Sequence, residues 1–250
     1  FNRVPVILGT NRDEMKTMMV SNPHYTKLRF GVLPTVPDQE LYDRVTAYGS
    51  RMWQAIGADE PARAIAASGH EEIFVYRFDW DEAPSNWFMD LQSLLGAGHS
   101  FEIPFVVHDI DGEMTYMPLQ LIDGENRAYA EPLARSMSSY WGAFAHGGDP
   151  GQGSTGDQPR WKRWQDPGRY LVFDTPQGGG VRMREGSLDR SEVFSTLAAA
   201  GAELGGQDGV CRAYNELFGE EAIFSFTTAC NPEAPCPAEP LRFCREDVPD

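Results

Sequence analysis

No stretch of this sequence approaches the roughly 20 consecutive apolar residues that a membrane helix requires. Basic residues are also short: 21 Lys and Arg stand against 37 Asp and Glu, for a formal charge of −16. Such a field repels phosphate backbones and anionic lipid, so neither nucleic acid nor a membrane is expected as a partner. A neutral or cationic small molecule is the easier ligand. Cysteine is absent before position 211, and Cys211, Cys230, Cys236 and Cys244 all fall in the last forty residues. An even count in an irregular tail suggests two disulfides, with three pairings open, and so an oxidising, secreted or periplasmic setting. A zinc site is disfavoured, because no C-x-x-C pair occurs and no histidine follows Cys211. No Asn-x-Ser/Thr sequon occurs, and no leader pattern precedes the opening Phe1-Asn2-Arg3-Val4-Pro5-Val6-Ile7-Leu8-Gly9. A core strand this close to the first residue leads us to expect that preceding polypeptide was removed or lies on another chain.

What is present is an ordinary globular composition, with 41% hydrophobic and 23% charged residues over 250 positions. That length fits one large domain or two small ones. Val4 to Leu8 reads as a short buried strand ending at Gly9, and Asn11, Arg12 and Asp13 supply turn and cap chemistry before a Met-rich helical start. Residues 22–38, with Pro23, Pro34 and Pro37, read as an irregular excursion. Helical patterns follow over Gln39–Tyr48 and Glu60–Ala67, the second with Pro61 just inside its start. Ile73 to Phe78 is β-branched and aromatic, the mark of a central strand. Leu133, Met137, Tyr140 and Phe144 recur at helical spacing and predict a helix over 128–145, stopped by Gly147-Gly148-Asp149-Pro150. Tyr170 to Asp174 is a last strand, and Gly178-Gly179-Gly180 beside it reads as a hairpin turn. Strands interleaved with helices point to an α/β architecture.

Two segments carry candidate chemistry. In Gly9-Thr10-Asn11-Arg12-Asp13-Glu14 a strand turns into a short helix and leaves polar residues at the carboxyl edge of a sheet, where ligands gather in open α/β folds. A carboxylate there can orient an imidazole, although acidic residues at a helix start also serve as simple caps. In Gly96-Ala97-Gly98-His99, glycines flank a histidine whose neutral-range pKa suits proton transfer. A lone histidine more often just packs in its loop, and that reading is assigned to His24, His70, His108 and His146.

Together these segments resemble the type-B carboxylesterases, the group that includes the cholinesterases. Gly9 to Glu14 is similar to that family's acid motif. His99 to Val107 is similar to its histidine motif, H-x-x-[DE]-[LI]-x-[YF]-[VL]-F, with Glu102, Ile103 and Phe105 matching and Val107 replacing the final aromatic. Tyr76-Arg77-Phe78 resembles the strand before the histidine loop. Trp141 to Pro150 resembles the W-x-x-F-A-x-x-G-[DN]-P element, and Trp161 to Trp164 with Tyr170 to Asp174 resembles the terminal segment and last strand. The likeness runs in order over roughly residues 4–175.

The resemblance implies an α/β fold, the C-terminal part of an α/β-hydrolase sheet with flanking helices plus a cysteine-bearing tail. Residues 1–185 are expected to be part of the catalytic domain and 186–250 a helical, disulfide-linked extension. It further implies a Ser-His-Glu triad hydrolysing carboxylic esters without metal or organic cofactor, with Glu14 as the acid and His99 as the base. Thr17, Met18 and Phe101 are implied as walls of the substrate pocket. The family's order is serine, acid, histidine, yet no G-x-S-x-G occurs anywhere in these 250 residues. The serine and the oxyanion hole are therefore expected on an N-terminal chain or segment, the partner alongside a small-molecule ester. The alternative is a catalytically inactive, cholinesterase-like adhesion or binding domain, which would carry no serine upstream.

Overall fold

The computed structural model describes residues 2–85, 89–111 and 121–219. Strand β1 (Val6–Asn11) starts and ends later than the expected Val4–Leu8. Its ladder with a neighbouring strand pairs Thr10 with Arg77 and Asn11 with Phe78, so pairing carries turn-favouring residues into the sheet. Helix α1 (Glu14–Met19) follows after two residues. Asp13 does not cap α1 with its side chain, contrary to the expected cap chemistry, because its carboxylate is used elsewhere. The proline-bearing stretch is not wholly irregular: β2 (Lys27–Arg29) and β3 (Leu33–Thr35) pair antiparallel as a hairpin. Pro34 is tolerated because a two-stranded ribbon consists only of edges.

Helix α2 (Gln39–Gln54) begins where the Asp38 carboxylate accepts the Leu41 N–H at 3.0 Å. It runs past the expected Tyr48 because Met52, Ala55 and Ala58 are fully buried. A π-helical segment (Ala55–Asp59) joins it to α3 (Glu60–Ala67), with Pro61 in the first turn, where no backbone donor is needed. Strand β4 (Ile73–Phe78), α4 (Leu91–Leu95) and α5 (Ile103–Val107) come next. Helix α6 (Arg127–Gly147) stops at Gly148, whose φ of 72° and N–H bond to the Phe144 carbonyl close the end as expected. Strands β5 (Arg169–Phe173) and β6 (Arg182–Glu185) form a hairpin around the glycine turn. Helices α7 (Arg190–Ala199), α8 (Gly201–Leu204) and α9 (Gln207–Phe218) complete the described chain.

The main sheet has the order β1-β4-β5-β6. β1, β4 and β5 are parallel, and β6 is antiparallel at the far edge. The expected central strand is indeed flanked on both sides. Period-two alternation sorts its side chains between two layers. Phe74, Tyr76 and Phe78 enter an aromatic core with Tyr140 and Trp161, while Ile73 and Val75 face Ala58, Ala62 and Trp164. Each large side chain buried here contributes roughly 1.5–3 kcal/mol. A third cluster joins Met15, Tyr42 and Met52 to Val193, Tyr214 and Phe218, so the helices after residue 186 share a core with α1 and α2. Both crossovers return the chain so that β1 and β4 end on the same edge of the sheet.

The Tyr76 ring can lie over β1 because residue 9 is glycine. A Cβ on Gly9 would come within 2.0 Å of the partly buried Tyr76 ring. Gly9→Ala should therefore cost about 1–3 kcal/mol from overpacking and lower the melting temperature by roughly 2–4 °C per kcal/mol. An unchanged melting curve would contradict this packing.

Candidate active site

The carboxyl ends of β1 and β4 bring the acid and histidine segments together. β1 delivers Asn11 to the edge, and one turn of backbone places Glu14 at the start of α1. The chain after β4 returns through α4 and passes the same edge at Gly96–His99. Backbone and side-chain bonds stitch the two segments. Asp13 N–H donates to the Ala97 carbonyl at 3.0 Å, and Ala97 N–H donates to the Asp13 carboxylate at 3.0 Å. His99 N–H donates to Thr17 Oγ1 at 3.0 Å, and Asn11 Nδ2 donates to the Gly98 carbonyl at 2.7 Å.

The glycines of the histidine loop are required by this stitching. A Cβ on Gly98 would meet Thr17 Oγ1 at 2.4 Å, and one on Gly96 would meet Asp13 Oδ2 at 2.4 Å. Ser100, directly after the histidine, has φ 68°, a left-handed conformation that costs a non-glycine residue. Strain of this kind persists only where the surroundings hold it.

Glu14 and His99 touch. Glu14 Oε2 lies 2.7 Å from His99 Nδ1, and Glu14 Oε1 accepts the Asn11 N–H at 2.7 Å. With both carboxylate oxygens accepting, Nδ1 is the nitrogen that donates. The two side chains differ in exposure, 6% for the carboxylate and 38% for the imidazole. Nε2, on the opposite side of the ring, makes no hydrogen bond among the described residues. The Glu14 hydrogen bond raises the His99 pKa, burial opposes it, and the charges of Glu14 and Glu102 add to the rise.

Beyond the pair anticipated from the sequence, two polar residues complete the network. Asn11 is 2% exposed and also donates through Nδ2 to Glu102 Oε2. Burial pushes the Glu102 carboxyl upward, the Asn11 bond pulls it down, and the nearby Glu14 charge adds to the rise. In the sequence Glu102 is visible only as a matching motif position, and Asn11 reads as a turn former. The signal that could have found both is their spacing from Glu14 and His99, three residues in each case.

Thr17, Met18 and Phe101 lie close by in different settings. The Thr17 hydroxyl is taken up holding the histidine loop. Met18 is half-buried and packs against the α1–α2 cluster. Phe101 is 4% exposed in the aromatic core. Cys211 lies on α9, while Cys230, Cys236 and Cys244 fall outside the described residues. His108 meets Glu131 on the surface, where ion pairs contribute little, and the exposed His24 meets the largely buried Glu216. Among the described residues no group of His, Cys, Asp and Glu could hold a metal ion, and no helix is long and apolar enough to cross a membrane.

A carboxylate and an imidazole paired at the carboxyl edge of a mostly parallel sheet define an α/β protein with a candidate catalytic site. No protein-family model matches the sequence. The chain is 26% identical over 191 residues to the fumonisin B1 esterase of Sphingopyxis macrogoltabida, covering 72% of this chain and 34% of that protein. The chain thus spans about a third of the length of this curated relative. Among solved structures it is similar to the carboxylesterase EST55 of Geobacillus stearothermophilus, at 23% identity and a TM-score of 0.49, over 72% of this chain and 38% of that one. It is also similar to EstA of Aspergillus niger, at 16% identity and a TM-score of 0.49, over 80% and 41%. The resemblance to the type-B carboxylesterases extends to a relative bearing an esterase name.

Glu14→Gln keeps the shape of the acid and removes its charge, so His99 should titrate lower. Ring-proton NMR reads this directly, and an unchanged midpoint would contradict the pairing. The sign for stability follows. His99 is raised above its ordinary 6.5, so with Glu14 ionised the stability from the pair is fully present below that pH. It is lost as the pH rises through the raised value, and the gap between wild type and Glu14→Gln should narrow over that window.

Proposed function

We propose that this chain is the C-terminal portion of a serine esterase that hydrolyses carboxylic esters through a Ser-His-Glu triad, with Glu14 as acid and His99 as base. The observation that carries the reading is the 2.7 Å contact of Glu14 with Nδ1, which leaves Nε2 available on a partly exposed ring. The esterase named among the relatives supports the same chemistry.

The serine and the oxyanion hole come from an N-terminal segment or chain. β1 supports this, because it forms an edge of the described sheet, with Val6, Ile7 and Leu8 only half-buried. A parallel sheet edge of this kind is ordinarily covered. In the complete enzyme the serine hydroxyl attacks the ester carbonyl while Nε2 of His99 takes its proton. Glu14 holds the ring and stabilises the imidazolium, which then protonates the leaving alcohol. Water, activated by His99, releases the acid from the acyl-enzyme. Each oxyanion-hole donor on the partner segment is worth about 3 kcal/mol.

Thr17, Met18 and Phe101 are proposed to border the acyl or alcohol pocket, which takes a small neutral or cationic ester. Residues 1–185 then form part of the catalytic domain, and 186–250 a helical extension with Cys211, Cys230, Cys236 and Cys244 in two disulfides. That no free thiol occurs at Cys211 supports the pairing and, with it, a secreted or periplasmic enzyme.

His99→Ala in the intact natural protein should reduce turnover of a p-nitrophenyl ester by at least about 10³-fold, as removal of a triad base does. The fold should persist, with stability lowered only by the loss of one buried hydrogen bond, about 1–3 kcal/mol. Near wild-type turnover would refute the assignment.

A further inference from the structure

The imidazole has an aromatic neighbour as well as the carboxylate at its Nδ1 edge. The Trp53 indole lies with its ring centroid 4.9 Å from that of His99, at an interplanar tilt of 45°. We propose that Trp53 is a positioning residue for the base, whose indole holds the His99 ring in place and favours its charged form. This rests on the reading of His99 as the base that becomes an imidazolium during turnover.

The local structure is built to present that indole. Trp53 is in the last turn of α2, immediately before the π-helical segment Ala55–Asp59. π-Turns of this kind occur frequently at functional sites, because the extra residue re-aims the side chains beside it. Opposite the indole is Gly57. A Cβ there would stand 3.3 Å from Trp53 Cδ1 and 3.8 Å from Thr10 Cγ2. Glycine at this position therefore gives the indole the room it occupies beside the end of β1. The far side of the segment is pinned, since Gln54 Nε2 and Leu188 N–H both donate to the buried Asp59 carboxylate. These bonds anchor the segment that follows Trp53 to the connection between β6 and α7.

The physical effect follows from the charge distribution of an indole. Its face carries negative potential, so a cation within about 6 Å of the centroid is attracted, and tryptophan is the best of the aromatic residues at this. The groups facing His99 from the other packed elements are Glu14 on α1 and Glu102 at the start of α5, both carboxyls. Glu14 holds the ring edge-on through Nδ1, and Glu102 acts on it through its charge alone. Trp53 adds an aromatic contact at a centroid distance of 4.9 Å. A positive charge developing on the imidazole in the transition state is then met from three directions by fixed groups.

The test uses Trp53→Leu, which keeps an apolar cover and removes the π-face, and Trp53→Phe, which keeps a smaller π-face. His99 ring protons are titrated by NMR in this chain and in the intact protein. Trp53→Leu should weaken proton binding at His99 about two- to fivefold, and Trp53→Phe should change it less. In the intact protein the acid limb of the pH profile of kcat/KM for a p-nitrophenyl ester should move to lower pH with Trp53→Leu. An unchanged His99 titration in Trp53→Leu, an equal effect of both variants, or an NMR shift without a shift of the pH profile would each overturn the proposal. Absence of ester hydrolysis in the wild-type protein would instead overturn the proposed function, and the NMR comparison would still decide whether Trp53 acts on the ring.

Discussion

The hydrogen bond between Glu14 and His99 joins residues 85 positions apart, and the rest of the site is arranged around keeping it short. A buried carboxylate is costly unless its oxygens are occupied. Here one oxygen is satisfied by the Asn11 N–H and the other by the imidazole. Removing either donor would leave a buried acceptor unmet, at a cost of roughly 1–3 kcal/mol. The backbone bonds between Asp13 and Ala97 and the bond from His99 N–H to Thr17 fix the spacing of the two loops before their side chains meet. Geometry of this kind is preorganisation: the ring does not have to find its partner during turnover.

Much of this was legible in the residues. The β-branched and aromatic run Ile73–Phe78 announced a central strand, and its neighbours β1 and β5 lie where that requires. The helical spacing of Leu133, Met137 and Tyr140 announced α6 almost to its ends. The glycines around His99 announced a tight loop, and the structure gives the reason, which is room for Asp13 and Thr17. Resemblance then selected Glu14 and His99 from several acids and histidines, and the fold brings those two into contact.

Other features were hidden because long-range contacts decide them. Thr10 and Asn11 look like turn residues, yet the ladder with Arg77 and Phe78 makes them strand. Asp13 looks like a cap, yet its carboxylate is committed to Ala97 and Arg12. The hairpin β2–β3 has no strong alternation, and only pairing reveals it. Trp53 was invisible as a site residue, since nothing in Arg51-Met52-Trp53-Gln54 predicts a π-helical segment or a histidine opposite.

The account stands or falls on which nitrogen of His99 carries the proton when the ring is neutral. A base needs its lone pair at Nε2, so Glu14 must hold the proton at Nδ1. Nitrogen-15 NMR of the neutral imidazole in this chain separates the two tautomers by the chemical shifts of the ring nitrogens. The account predicts a protonated Nδ1 and a bare Nε2, reverting towards the solution mixture in Glu14→Gln. A dominant Nε2–H tautomer in the wild-type protein would contradict it.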